Sequence, residues 1–114
     1  MIAEPDRREG DGTLDGYIAL HQRPPAFEGS DGHAYTVSAE VERTGNLRAP
    51  WSGFLVFPRW AADGMGIVGH RETPTLVEAR SEEDARSHLG ALALPELKAL
   101  LETAITDDDE PRGR

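Results

Sequence analysis

The chain of 114 residues contains no cysteine. This absence excludes disulfides, thiolate zinc sites, iron–sulfur clusters and a cysteine nucleophile, because each of them needs a thiolate sulfur. No apolar run comes near the roughly 20 residues that cross a bilayer. Residues 1–13 carry charges where a signal peptide has an apolar stretch. We therefore expect a cytoplasmic protein that does not associate with a membrane.

Lysine is almost absent, since Lys98 stands beside eleven arginines, a bias typical of a GC-rich bacterial genome. The net charge is −9, and residues 14–106 alone contribute −5 from thirteen acidic and eight basic side chains. Binding to a polyanion needs net positive charge that neutralises phosphates. We therefore do not expect this acidic protein to bind duplex nucleic acid.

The length suits one ordinary domain, because domains most often have about 100 to 150 residues. The two ends are rich in charge, glycine and proline, and they carry too few apolar side chains to offset the entropy lost on ordering. The sequence predicts a single domain over residues 14–106 between disordered acidic tails at residues 1–13 and 107–114.

Strand signals fill the first two thirds of this domain. Residues 35–42 alternate apolar and polar side chains, which predicts a strand with one buried face. Residues 51–60 are apolar on both faces, and Asp63-Gly64 behind them is a strong hairpin signal. Strands are predicted at residues 17–20, 35–42, 51–60, 67–70 and 75–79.

Helical signals follow the strands. Ser81 precedes three acidic residues, which is typical of an N-cap and a first turn that complements the helix dipole. Pro95 is placed as a first-turn proline of a second helix, with an apolar stripe behind it. The sequence thus predicts an α+β fold, with an antiparallel four- or five-stranded sheet followed by two C-terminal helices packed on one face.

Motifs for chemistry are lacking. No serine lies in a nucleophile motif, and no pair of histidines has the spacing of a known metal site. We therefore expect no metal and no cofactor, and a protein without catalytic activity is favoured over an enzyme. The four histidines are His21, His33, His70 and His88.

The hairpin predicts which residues share a face. A two-residue turn at Asp63-Gly64 would place Trp60 opposite Ile67 and Phe57 opposite His70, and the faces then follow from parity. One face is wholly apolar apart from Arg71 at its end and is predicted to be the core: Phe54, Val56, Trp60, Met65 and Ile67. The other face mixes apolar and charged residues as a recognition surface does; its candidate binding residues are Leu55, Phe57, Arg59, His70 and Glu72.

Two functions remain open. The favoured one is a noncatalytic binding or protein-interaction domain, which would dock a protein partner or a second copy of the chain on the mixed face. The alternative is a small enzyme or ligand-binding protein with a pocket around His70, Glu72 and Arg59. His70 and Glu72 stand two residues apart on one strand, so they would share a face as a general base and its orienting acid do.

Overall fold

A computed structural model describes residues 12–109. Within that range an antiparallel six-stranded sheet carries the helices on one face, so the predicted α+β class with two C-terminal helices is confirmed. The helices are α1 (Leu14–His21), α2 (Glu82–Gly90) and α3 (Leu94–Asp109). The strands are β1 (Ala26–Glu28), β2 (Ala34–Thr36), β3 (Ser38–Arg43), β4 (Trp51–Trp60), β5 (Ile67–Glu72) and β6 (Val77–Ala79).

The long strand β4 is the centre of the sheet. It pairs with β2 and β3 along one side and with β5 and β6 along the other, while β1 extends the sheet beyond β2. Ala34 of β2 lies opposite Trp60, and Ser38 of β3 lies opposite Val56. The two strands thus pair with β4 in one continuous register. β2 and β3 therefore form one line of backbone that is interrupted at Val37.

Pro58 explains this interruption. The Leu55 N–H donates to Thr73 Oγ1, and the Leu55 carbonyl accepts a hydrogen bond from the Thr73 N–H. The backbone groups of Leu55 therefore point to the β5 side of β4. The backbone groups of successive residues in a strand point to alternate sides, so those of Pro58 point toward β2 and β3. Proline has no N–H to donate. The ladder therefore loses one hydrogen bond beside Thr36.

The predicted strand at residues 17–20 is wrong, because these residues belong to helix α1. The Thr13 hydroxyl caps the helix by accepting a 3.0 Å hydrogen bond from the Gly16 N–H. The rings of Tyr17 and His21 then lie 4.2 Å apart, one helical turn from each other. A run of four apolar residues has no periodicity that distinguishes a strand from a helix.

The two C-terminal helices begin where the sequence predicts. Ser81 caps α2, since its Oγ accepts a 3.0 Å hydrogen bond from the Asp84 N–H. Pro95 lies in the first turn of α3, where Glu96 Oε1 accepts a 2.8 Å hydrogen bond from the N–H of Ala93. Among the described residues, no helix combines the length and apolar content that crossing a bilayer requires.

The domain boundaries differ slightly from the prediction. Helix α3 continues to Asp109, three residues past the predicted end at residue 106. The carbonyl of Gly12 accepts a hydrogen bond from the Leu94 N–H, and Thr13 forms a β-bridge with Ala93. The remaining parts of both predicted tails lie outside the described residues.

The core lies between the helices and the sheet face that we call the inner face. From β4 it takes the odd-numbered residues Leu55 and Phe57, which are 0% exposed, whereas Met65 and Ile67 of the following hairpin arm are 82% and 58% exposed. The prediction that put Phe54, Val56, Trp60, Met65 and Ile67 in the core was therefore wrong. The fully packed core residues are Leu14, Tyr35, Val37, Leu55, Phe57, Leu89, Leu97, Leu101 and Ile105.

Gly53 lies where helix α2 approaches the inner face of β4. A Cβ built at this position would lie 2.7 Å from Val77 Cγ1 and 2.9 Å from Leu89 Cδ1. The absence of a side chain at Gly53 thus lets α2 approach β4 closely. Both faces of β4 are apolar, so parity alone does not tell which of them a helix covers.

Part of the predicted hairpin register is also wrong. Trp60 does lie opposite Ile67, but a bulge follows, in which Val68 is the extra residue. Phe57 consequently lies opposite Arg71, where His70 was predicted. One extra residue moves every later side chain of β5 to the other face of the sheet.

Candidate functional site

The sheet face opposite the helices, which we call the outer face, carries an apolar stripe. It is formed by alternate residues of β4, Phe54, Val56, Pro58 and Trp60, all of them only half-buried. The core beneath the helices takes its strand residues from the inner face, so no element between residues 12 and 109 covers the stripe.

Glutamates flank the stripe on both sides. On the β3 side, Glu40 lies opposite Phe54 and Glu42 opposite Ser52. On the other side, Glu72 lies opposite Val56 and Glu78 opposite Ser52. Glu28 adds a fifth carboxylate at the β1 edge. Within the described strands, no position on the outer face holds a lysine or arginine.

The two ends of the stripe differ in charge. Beyond its Trp60 end lie two well-exposed apolar side chains, those of Ile67 and Met65. At the opposite end Arg48 and Arg80 line a depression together with Leu47 and Pro50, and Leu47 is almost fully exposed. Basic groups therefore begin only where the strands of the outer face end.

A cavity of about 590 Å³ opens beside Trp60. The Trp60 indole donates a 3.0 Å hydrogen bond from Nε1 to Thr36 Oγ1, which fixes the ring across the neighbouring strand. Most of the remaining lining consists of small side chains. The lining residues are Ala26, Phe27, Glu28, Gly32, His33, Ala34, Trp60, Ala61 and Ala62.

The predicted binding residues do not come together. Leu55 and Phe57 are core residues of the inner face and offer no surface to a partner. His70 and Glu72 lie on the outer face, where their Nε2 and Oε2 atoms are 3.3 Å apart. Both side chains of this pair are more than half exposed.

Arg59 lies on the inner face, so the sheet separates it from His70 and Glu72, with which it was predicted to share a pocket. Arg59 belongs instead to a cluster with Asp31 and Tyr35. The Tyr35 hydroxyl donates a 2.6 Å hydrogen bond to Asp31 Oδ2, and Arg59 Nη1 lies 3.9 Å from the same oxygen. These contacts hold the loop before β2 against the sheet.

Burial and charge shift both acidic groups of this cluster. Burial raises the pKa of Tyr35, and its hydrogen bond to the Asp31 carboxylate raises it further. Burial acts to raise the pKa of Asp31 as well, but hydrogen bonds from Tyr35 and the His33 N–H, with the charges of His33 and Arg59, lower it below its usual value. The sequence marks Asp31 only as part of a turn, so its partners could not be inferred.

A larger groove of about 770 Å³ lies on the helical side, between α1, α2 and β3. Leu14 and Val37 contribute to its lining, and Asp15, Glu83 and the ion pair of Glu82 with Arg86 supply its charged groups. The sheet separates this groove from the outer face. Its described lining contains no histidine.

Between residues 12 and 109, no three histidine, aspartate or glutamate side chains lie close enough together to hold a metal ion. Comparison of the chain with family models, with curated proteins and with solved structures finds no match. On the outer face, the apolar stripe of β4 coincides with acidic side chains on both of its sides.

Proposed function

We propose that the protein is a noncatalytic interaction domain that docks a basic segment of a protein partner on its outer face. The observation that supports this is the apolar stripe of β4 between flanking glutamates. Apolar contact at the centre of an interface contributes affinity, and opposite charge at its rim steers the partner and fixes its orientation.

The extent of the apolar surface favours a partner. The stripe continues from Trp60 to Ile67 on the neighbouring strand, and Met65, two residues before Ile67, is 82% exposed. Soluble monomers rarely leave a large contiguous apolar patch open to water. A large exposed apolar patch that is rimmed by polar residues is typical of an interaction surface.

The charge of the outer face decides between kinds of partner. A second copy docked face to face by a two-fold axis would bring glutamates against glutamates, whichever way it is turned. Nucleic acid and anionic lipid meet the same repulsion. A segment with lysines or arginines beside apolar side chains complements both the stripe and its rim.

Tryptophan fluorescence tests the proposal on the full chain. Trp60 lies on the outer face, while Trp51 lies on the inner face with the Arg43 guanidinium 5.1 Å from its ring. In a Trp51→Phe background, we expect a synthetic peptide of alternating lysine and leucine to change the emission of Trp60 with saturation. Binding should weaken as salt rises, because salt screens exposed charges.

Matched controls separate the outer face from general acidity. Glu40→Gln and Glu72→Gln remove charge beside the stripe, whereas Glu83→Gln removes the same charge from the helical side. We expect weaker binding only for the first two, and no binding of a peptide with glutamate in place of lysine. Equal effects of all three variants, or a dimer of the free protein that Val56→Glu dissociates, would contradict the proposal.

A further inference from the structure

We infer that the cavity between Glu28 and Trp60 holds one lysine or arginine side chain of the docked partner. This inference rests on the proposed function, because the cavity is one end of the outer face. It specifies that the partner presents a cationic side chain there, and that Glu28 and Trp60 bind this side chain.

The sheet register builds the cavity. On one line across the outer face, Glu28 of β1 lies opposite Ala34 of β2, and Ala34 lies opposite Trp60 of β4. Neighbouring strands are about 4.8 Å apart, so about 10 Å separates the backbones that carry the carboxylate and the indole. Between these two backbones, β2 contributes the methyl group of Ala34, and the indole reaches over β2 toward Thr36.

Small residues keep the gap open, and a hydrogen bond holds one wall in place. Ala26, Ala61 and Ala62 complete much of the lining and leave a cavity of about 590 Å³. The bond from Trp60 Nε1 to Thr36 Oγ1 orients the indole before any partner arrives. A wall that is already ordered adds little entropic cost to binding.

The two walls select a cation. An indole ring attracts a cation electrostatically, and a carboxylate forms a charge-assisted hydrogen bond with an ammonium or guanidinium group. The alanine methyls suit the aliphatic stem of lysine or arginine. An acidic side chain would meet the charge of Glu28, the only carboxylate among the described lining residues.

His33 also lines the cavity. The Nδ1 atom of His33 is buried and has no hydrogen-bond partner among the described residues. Glu28 carries the one carboxylate among the described lining residues, and a carboxylate forms a charge-assisted hydrogen bond with a cation, so it is the acceptor that we assign to the ligand.

Three variants test the inference with the lysine–leucine peptide. Glu28→Gln removes the charge of the cavity, Ala34→Leu fills it, and Glu78→Gln is the matched control at the far end of the face. Positions 28, 34 and 78 are exposed, so each variant should melt like the wild type. We expect Glu28→Gln and Ala34→Leu to weaken binding about tenfold, as for a lost hydrogen bond to a charged group, and Glu78→Gln to weaken it less.

Replacing the peptide's lysines one at a time by norleucine, which keeps the stem and loses the charge, identifies the partner group. One replacement should weaken binding to the wild type and leave binding to Glu28→Gln unchanged. If every replacement acts equally on both proteins, and Ala34→Leu binds like the wild type, the inference fails while docking on the outer face stands. If no variant and no wild type binds the peptide, the proposed function fails as well.

Discussion

Arg59 of β4 lies directly opposite Gly69 of β5, and its guanidinium group lies over that glycine. A Cβ at position 69 would be 3.2 Å from Arg59 Nη2, closer than an ordinary contact. The bare backbone of Gly69 therefore gives the arginine room on the inner face, near Asp31. Arg59 is thus separated from His70, which follows Gly69 in β5 and lies on the outer face.

Two glycines of the inner face should differ in their tolerance of a methyl group. Gly69→Ala requires a shift only from the flexible end of Arg59, whereas Gly53→Ala meets Val77 and Leu89 inside the core. We expect Gly53→Ala to lower the free energy of unfolding by about 1–3 kcal/mol, as overpacking does, and Gly69→Ala to lower it less. Urea denaturation measures both; the reverse order would show that Arg59 is held more rigidly than the core.

Truncation of two adjacent residues of β4 should lower the free energy of unfolding by different amounts. Leu55 is buried in the core and Val56 lies on the outer face, so Leu55→Ala should cost about 2–5 kcal/mol of stability. Val56→Ala should cost about 1 kcal/mol or less, because its surroundings already include water. Chemical denaturation measures the loss of stability in each variant. Similar losses would mean that the outer face of β4 is covered as well as the inner face.

The sequence predicts the fold class because several local signals agree. The alternation of residues 35–42, the continuous apolar run of β4, the Ser81 cap and the first-turn Pro95 each point to the element that is present. Helix α1 and strand β1 were missed for a physical reason. Each is short, and neither carries a periodic pattern long enough to distinguish one element type from another.

The candidate site was less predictable than the fold. The sequence predicts such a surface, an apolar centre with a charged rim, on β4 and β5, but it assigns that surface to the face that the helices bury. Parity along a strand separates two faces without saying which one a helix covers, and the single extra residue Val68 exchanges the faces of all later residues in β5. His70 and Glu72 thereby reach the outer face, and Arg59 does not.

Acid should weaken the cluster around Asp31. The pKa of Asp31 is lowered on folding from a usual value of 3.8, so its stabilising contribution is complete above that value and is lost as the pH falls through the lower, folded pKa. We expect the wild type to be more stable than Asp31→Asn near pH 7, by an amount that shrinks below pH 3.8. Urea midpoints at several pH values measure it; a constant difference would show that charge on Asp31 is unimportant.

The cap of α2 provides a separate test of local structure. Ser81→Ala removes the acceptor of the Asp84 N–H and should lower stability by about 1 kcal/mol. Ser87→Ala, an exposed position within the same helix, makes the same chemical change without removing a cap. We expect it to be neutral or slightly stabilising, since alanine is the better helix former. Thermal melting of both variants distinguishes the two positions.

The β-bridge between Thr13 and Ala93 has a consequence for the order of folding. The strands of the sheet follow one another along the chain and close over short loops, whereas this bridge joins residues that are eighty positions apart. Contacts between distant residues pay the largest loop-closure entropy before they contribute any stability. We therefore expect the sheet and its hairpins to form first and α1 to dock late, so that truncations in α1 speed unfolding more than they slow refolding.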